Sequence, residues 1–261
     1  MLRRWCILVA MLALTAGTAL SASSASASAT AGRFSPGGTI HLVSTRSAHV
    51  RGISKEAQST NWSGYAATTG TYTSVSASWT QPTGTCKSGD QYAAFWVGLD
   101  GYSSSTVEQT GSEVDCDGRT AEYYAWYEAY PAASENYSNT VKPGDHFNAS
   151  VTYEGSSKFS LYIDDTTQKW SHDTTVTVSG ADRSSAEVIV EAPCCTNSGG
   201  ILPLTDFGTV SITSSEANGA AIGNAGGLTE IIMIDNEKRD KDTVSSLSGG
   251  ENFSATWVRS N

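Results

Sequence analysis

The sequence predicts an all-β fold, a sandwich of two antiparallel sheets. Short runs of alternating apolar and polar residues recur from Asn61 to Val258, with Gly, Ser, Thr, Asn or Pro between them. Nothing in that region repeats apolar residues convincingly at helical spacing. A length of 261 residues also suits one sandwich or barrel preceded by a leader.

Val75, Ala77 and Trp79 alternate with Ser74, Ser76 and Ser78, and Gln81-Pro82-Thr83-Gly84 turns the chain. Tyr92 to Leu99 is a more apolar strand closing on Gly98-Leu99-Asp100-Gly101, a tight-turn signature. After a Ser-rich loop, a second short strand presents Val107, Glu108 and Gln109 before Thr110-Gly111. Gln109 is an amide and keeps donor and acceptor at any pH. Glu122 to Tyr130 places Tyr124, Trp126 and Glu128 on one face, with Tyr123, Ala125, Tyr127 and Ala129 on the other. Lys142-Pro143-Gly144-Asp145 turns into Phe147 to Tyr153. Lys158 to Ile163, Thr174 to Ser179 and Ala186 to Glu191 follow as strands. Thr209 to Thr213, Thr229 to Ile234 and Ser254 to Val258 complete about a dozen, with Gly223 to Gly227 as a loop.

The first 60 residues stand apart. Leu2-Arg3-Arg4, an apolar run from Ile7 to Leu20 and small residues from Ser21 to Ala27 read as a secretory signal peptide over residues 1–31. The apolar run is short for a membrane anchor, so a secreted, extracellular protein with no membrane partner is expected. Residues 32–60 carry Arg33, Arg46, Arg51 and Lys55 against Glu56 alone. Residues 61–261 hold 10 basic and 25 acidic residues, a formal balance of −15. A basic leader before an acidic body reads as a prosegment, though a flexible linker has similar composition. The body offers no basic patch, which excludes nucleic acid. Few cations also limit self-repulsion once carboxylates protonate, which suits work in acid.

Cys86, Cys116, Cys194 and Cys195 remain after the signal and allow three pairings. Cys86–Cys116 would tie the loops flanking the Tyr92 strand; Cys194 and Cys195 would bond to each other or pair elsewhere. There is no CxxC, and His146 and His172 lie far from these cysteines, so no metal site is expected. Neither His neighbours a GxSxG elbow, and no Gly-rich loop precedes a helix. Carboxylates remain. In Ala186-Glu187-Val188-Ile189-Val190-Glu191 two acids share one strand face, where like charges raise at least one pKa. Trp62, Trp96, Trp126, Tyr65, Tyr124 and Tyr130 fit either a core or an aromatic groove for an extended ligand.

Together, these stretches resemble the successive motifs of the glutamic peptidases (eqolisins). They are Trp62-Ser63-Gly64-Tyr65, Trp96-Val97-Gly98-Leu99-Asp100-Gly101, Gln109-Thr110-Gly111, Ala125-Trp126-Tyr127-Glu128 with Tyr130-Pro131, and the Ala186–Glu191 strand. The likeness runs in order from residue 61 to about 258. It implies two curved antiparallel sheets, a propeptide, polypeptide substrates, no cofactor and a monomer. It also places the family's catalytic pair on Gln109 and Glu191. Trp62, Gly64, Trp96, Asp100, Trp126 and Glu128 match positions that line or brace the groove. Tyr124, where the family often has Asp, and Ala192-Pro193-Cys194-Cys195 depart from the pattern.

Physically, peptide hydrolysis needs a base for water, a donor for the oxyanion and an acid for the leaving amine. Glu191 can serve as base and then acid, while Gln109 orients water and donates N–H. A Glu/Gln pair avoids the like-charge competition of two Asp. The prosegment's cations would pair with groove carboxylates at neutral pH and inhibit until those protonate. The competing reading is a carbohydrate-binding or glycan-cleaving sandwich, in which Glu108 or Asp100 supplies a second carboxyl.

Overall fold

The computed structural model describes residues 38–47, 55–194 and 200–261. The expected signal peptide, much of the expected prosegment and Cys195 lie outside them. Two strands precede the body, β1 (Leu42–Ser47) and β2 (Lys55–Ser59). Then come β3 (Trp62–Ala67), β4 (Ser74–Thr80), β5 (Gln91–Leu99), β6 (Val107–Asp117), β7 (Thr120–Tyr130) and the short β8 (Glu135–Asn136). A second run holds β9 (His146–Gly155), β10 (Lys158–Asp165), β11 (Trp170–Thr177) and β12 (Ala186–Glu191). The last are β13 (Thr209–Ala217), β14 (Ala220–Ala221), β15 (Thr229–Met233), β16 (Asp242–Val244) and β17 (Phe253–Trp257). A 3₁₀ turn, Ile222–Asn224, overlaps the loop expected near Gly223.

These strands form two sheets. One runs β1-β2-β15-β3-β12-β5-β6-β7-β8 and the other β11-β10-β9-β4-β13-β17-β16, with β14 beside β13. Every ladder is antiparallel except β2 with β15. The core lies between the sheets. Phe95, Val97, Leu99, Val188 and Val190 of the first meet Trp79, Phe147, Leu161, Ile163 and Ile212 of the second. Trp79 Nε1 donates across the gap to Ser112 Oγ at 2.8 Å. Burial alternates along β4 and β10, as expected for a sheet with one wet face. Strands β3, β6 and β12 behave differently and are buried on both faces. A second apolar cluster therefore covers the outer face of the first sheet, with Trp62, Trp96, Trp126, Ile189 and Ile231.

Several elements differ from the sequence reading. β6 does not stop at Gly111 but continues to Asp117. Gly111 reads as a strand end, yet it is the place where Phe95 and Trp96 of β5 press against β6. β11 begins at Trp170, four residues before the expected start, because Trp170 to Thr177 pairs in full with β10. Tyr65 points into the inter-sheet core, edge-on to Phe253, rather than into an aromatic groove. Lys55–Ser59, read as prosegment, is built into the sheet, with Ala57 and Ser59 fully buried. Cys86 and Cys116 form a disulfide with Cα atoms 5.4 Å apart. Cys194 is also disulfide-bonded.

A β-carbon at Gly111 would fall 2.2 Å from the Phe95 carbonyl oxygen and 2.6 Å from Trp96 Cβ. Both neighbours are fixed in the sheet, so Gly111→Ala has to prise β5 from β6. The expected loss is about 3 kcal/mol, at the upper end of overpacking. A urea midpoint within error of the parent would refute this packing.

Candidate active site

Residues paired directly across an antiparallel ladder share a face. The ladders among β3, β12, β5, β6 and β7 therefore set three rows on the outer face of the first sheet. Trp62, Glu191, Ala94, Glu113 and Tyr124 form the first row. Gly64, Ile189, Trp96, Gly111 and Trp126 form the second. Ala66, Glu187, Gly98, Gln109 and Glu128 form the third. Seven of the eight residues expected at a groove thus share one face; Asp100 is the exception.

Glycines shape this surface. A β-carbon at Gly98 would sit 2.8 Å from the Trp96 ring. The bare backbone at Gly98 and Gly111 leaves a bed on which the Trp96 indole lies. From there Trp96 Nε1 donates to Glu191 Oε2 at 2.9 Å. Trp62 packs edge-on to Trp96, with centroids 4.8 Å apart. Gly64 has φ +128°, and a β-carbon there would strike the Val188 carbonyl at 2.3 Å, so only glycine lets β3 approach β12 this closely.

Gln109 is held from the opposite side. Its Nε2 donates to Glu128 Oε2 at 2.6 Å, which fixes the amide's orientation. Gln109 Oε1 is buried and accepts no hydrogen bond, and the Trp62 and Trp126 indole nitrogens donate none. Buried polar atoms are almost always satisfied. One acceptor and two donors left over on one face are groups that an extended peptide backbone can match.

The electrostatics follow from burial. Glu113, Glu187, Gln109 and Glu191 have no exposed surface, and Glu128 has 3%. Burial pushes Glu128 up to about 9, with the Glu191 charge adding to the rise. Glu113 and Glu187 are raised well above the usual carboxylate range, chiefly by burial. Glu191 acts on both Glu113 and Glu128, so its carboxyl lies within reach of the first and third rows. No lysine or arginine figures among the causes of these shifts.

Asp100 lies just beyond β5, outside the three rows. Its backbone is left-handed, at φ 69°, and its carboxylate accepts from the backbone N–H groups of Arg183 at 2.7 Å and Ser184 at 2.8 Å. It thereby anchors the segment that leads into β12. Committed in this way, Asp100 is not available as a glycosidase carboxyl. Glu108 pairs with Leu99 and Ala129 and so faces away from Gln109. His146 contacts Thr80, and His172 stacks on Tyr137 at 4.2 Å. The sequence reading missed Glu113. Four residues beyond Gln109, it shares that face by period-2 spacing, but only once β6 is known to pass Gly111.

The raised carboxyls set a pH dependence of stability. The native chain keeps protons on Asp115 and Asp242 to about 7, Glu108 to about 8 and Glu128 to about 9. An unfolded chain releases them near pH 4. The stabilising contribution is complete below pH 4, where both states are protonated, and is lost as pH rises through these values. The thermal midpoint is expected to be highest near pH 3–4 and to fall steadily toward pH 8. A midpoint that rises from pH 4 to pH 7 would contradict this.

Known proteins resemble the chain in sequence and in fold. A model of the peptidase A4 family matches residues 60–257. The chain is 27% identical over 233 residues to aspergillopepsin-2 of Aspergillus niger, covering 80% of this chain and 81% of that protein. It is 30% identical over 215 residues to scytalidopepsin B of Scytalidium lignicola, covering 76% and 78%. The fold matches a crystal structure of scytalido-glutamic peptidase with a transition-state analogue inhibitor, with TM-score 0.67, 24% identity and coverage of 76% of this chain and 98% of that one. It also matches aspergilloglutamic peptidase of Aspergillus niger, with TM-score 0.56, 24% identity and coverage of 64% and 99%. The chain belongs to the peptidase A4 family, the glutamic-type endopeptidases.

Proposed function

We propose that the chain is a secreted acid endopeptidase in which Glu191 and Gln109 form the catalytic pair. One observation supports this above the others. Both residues lie on one buried face, where Trp96 Nε1 donates to Glu191 and Gln109 donates to Glu128. In this reading, the Glu191 carboxylate takes a proton from water as the oxygen bonds to the substrate carbonyl carbon. Gln109 Oε1 orients that water, and its second N–H donates to the oxyanion. Glu191 then returns the proton to the amide nitrogen as the C–N bond breaks, and the oxyanion collapses to the new carboxyl group. Nothing but water and peptide is consumed.

The leader is an intramolecular inhibitor in the same proposal. Ile40 is buried in the apolar cluster that holds Trp62, Trp96 and Trp126. Its N–H donates to the Gly101 carbonyl at 3.1 Å, and Asn61 holds Thr39 and His41. Apolar seating therefore contributes beside charge. Arg46 pairs with Glu56 across the β1–β2 hairpin instead of with a groove carboxylate. Arg33 and Arg51 lie outside the described residues.

Casein digestion at acidic pH, after acid activation, tests the pair. Glu191→Gln is expected to abolish turnover, and Gln109→Ala to lower it by about 10²–10³, the usual cost of an oxyanion donor. Turnover surviving Glu191→Gln would sink the mechanism.

A further inference from the structure

Glu113 has no part in the mechanism above, yet it is as fully buried as Glu191 in the same row. The two residues pair with the same residue, Ala94, from opposite sides, so only a methyl group separates them on this face. Tyr124 pairs with Glu113 on β7, and Tyr124 Oη donates to Asp115 Oδ2, two residues further along β6. Neither Glu113 oxygen has a partner at ordinary hydrogen-bond length. A structural carboxyl in a core is normally satisfied by donors. This one is surrounded by acids and phenols.

We infer that Glu113 is a positioning residue for the Glu191–Gln109 pair, a neutral carboxyl one methyl from Glu191 whose ionisation closes the alkaline end of the activity range. The inference rests on the proposed roles of Glu191 and Gln109. While Glu113 keeps its proton, the site carries only the charge that the reaction needs. Once Glu113 ionises, a second buried negative charge stands beside a site where an oxyanion must form. At such separations in a protein interior that repulsion slows turnover more than about tenfold.

The groups facing Glu113 agree with this. Glu191 lies across β5, and Asp115 lies on the same strand. Tyr124 comes from β7, and Tyr92, Glu122 and Asp90 stand behind Asp115 and Tyr124. No cation is among them. Burial raises both Glu113 and Asp115, and each acts on the other. Asp115 keeps 6% of its surface exposed, whereas Glu113 and Glu191 keep none. The pH at which Glu113 ionises is therefore set by its neighbours on β6 and β7, and Tyr124 is part of that set.

The test is the pH–rate profile of acid-activated enzyme carrying Glu113→Gln or Glu113→Asp, beside the parent, Glu191→Gln and Gln109→Ala. Initial rates are taken only where tryptophan fluorescence shows the native fold. Glu113→Gln preserves shape and cannot ionise. It is expected to keep turnover at the optimum within about threefold and to leave the acidic limb in place. Its alkaline limb should move up by about one pH unit. Glu113→Asp restores a titrating carboxyl and should return that limb toward the parent. Unchanged limbs in Glu113→Gln, or a limb that moves only in step with the unfolding midpoint, overturn the inference. Activity that survives Glu191→Gln overturns the catalytic pair itself, a separate outcome.

Discussion

The structure depends on keeping carboxyl groups inside a sheet without cations to neutralise them. Glu113, Glu187, Glu191 and Glu128 occupy one covered face. Burying an ionised carboxylate without a partner is prohibitive, so Glu113, Glu187 and Glu128 hold their protons instead. A protonated carboxyl is a modest polar group that also donates a hydrogen bond. The fold is thus compatible with this face chiefly in acid. Under the proposed mechanism, stability and activity draw on the same face. The sparse Lys and Arg content fits, because a strongly basic chain would repel itself once its carboxylates were neutral.

Geometry on that face comes from what is missing as much as from what is present. Glycines at 98 and 111 leave a bed for one indole, and that indole reaches Glu191. Ala94 leaves a gap through which Glu113 and Glu191 influence each other. Asp100 spends its carboxylate on two backbone N–H groups and so holds the approach to β12. Replacing any of these small or committed residues would disturb the face that carries Glu191 and Gln109.

Much of this was legible in the sequence, because period-2 alternation reports directly on sheet faces. The strand Ala186–Glu191 has the bounds that its pattern predicts. The division of Glu122–Tyr130 into two faces also holds, with Tyr124 and Trp126 outward and Tyr123, Ala125 and Tyr127 toward the core. What was not legible depends on contacts from distant chain. Gly111 looks like a terminator until Trp96 is seen crossing it. Once β6 is cut short there, Glu113 drops out of view. Tyr65 stands three residues after Trp62 and so takes the opposite face, but which of the two faces the core is fixed only by the register with β12. β1 and β2 hide in a leader whose charge is more conspicuous than its pattern.

The most direct measurement is infrared absorption of the folded protein in the carbonyl region as a function of pH. Protonated carboxyls absorb separately from carboxylates, so buried acids can be counted without altering any residue. The account predicts that a protonated-carboxyl band persists in the native protein at pH 6 and disappears on unfolding at the same pH. A native protein whose carboxyl band is already gone by pH 5, like that of an unfolded chain, would contradict it.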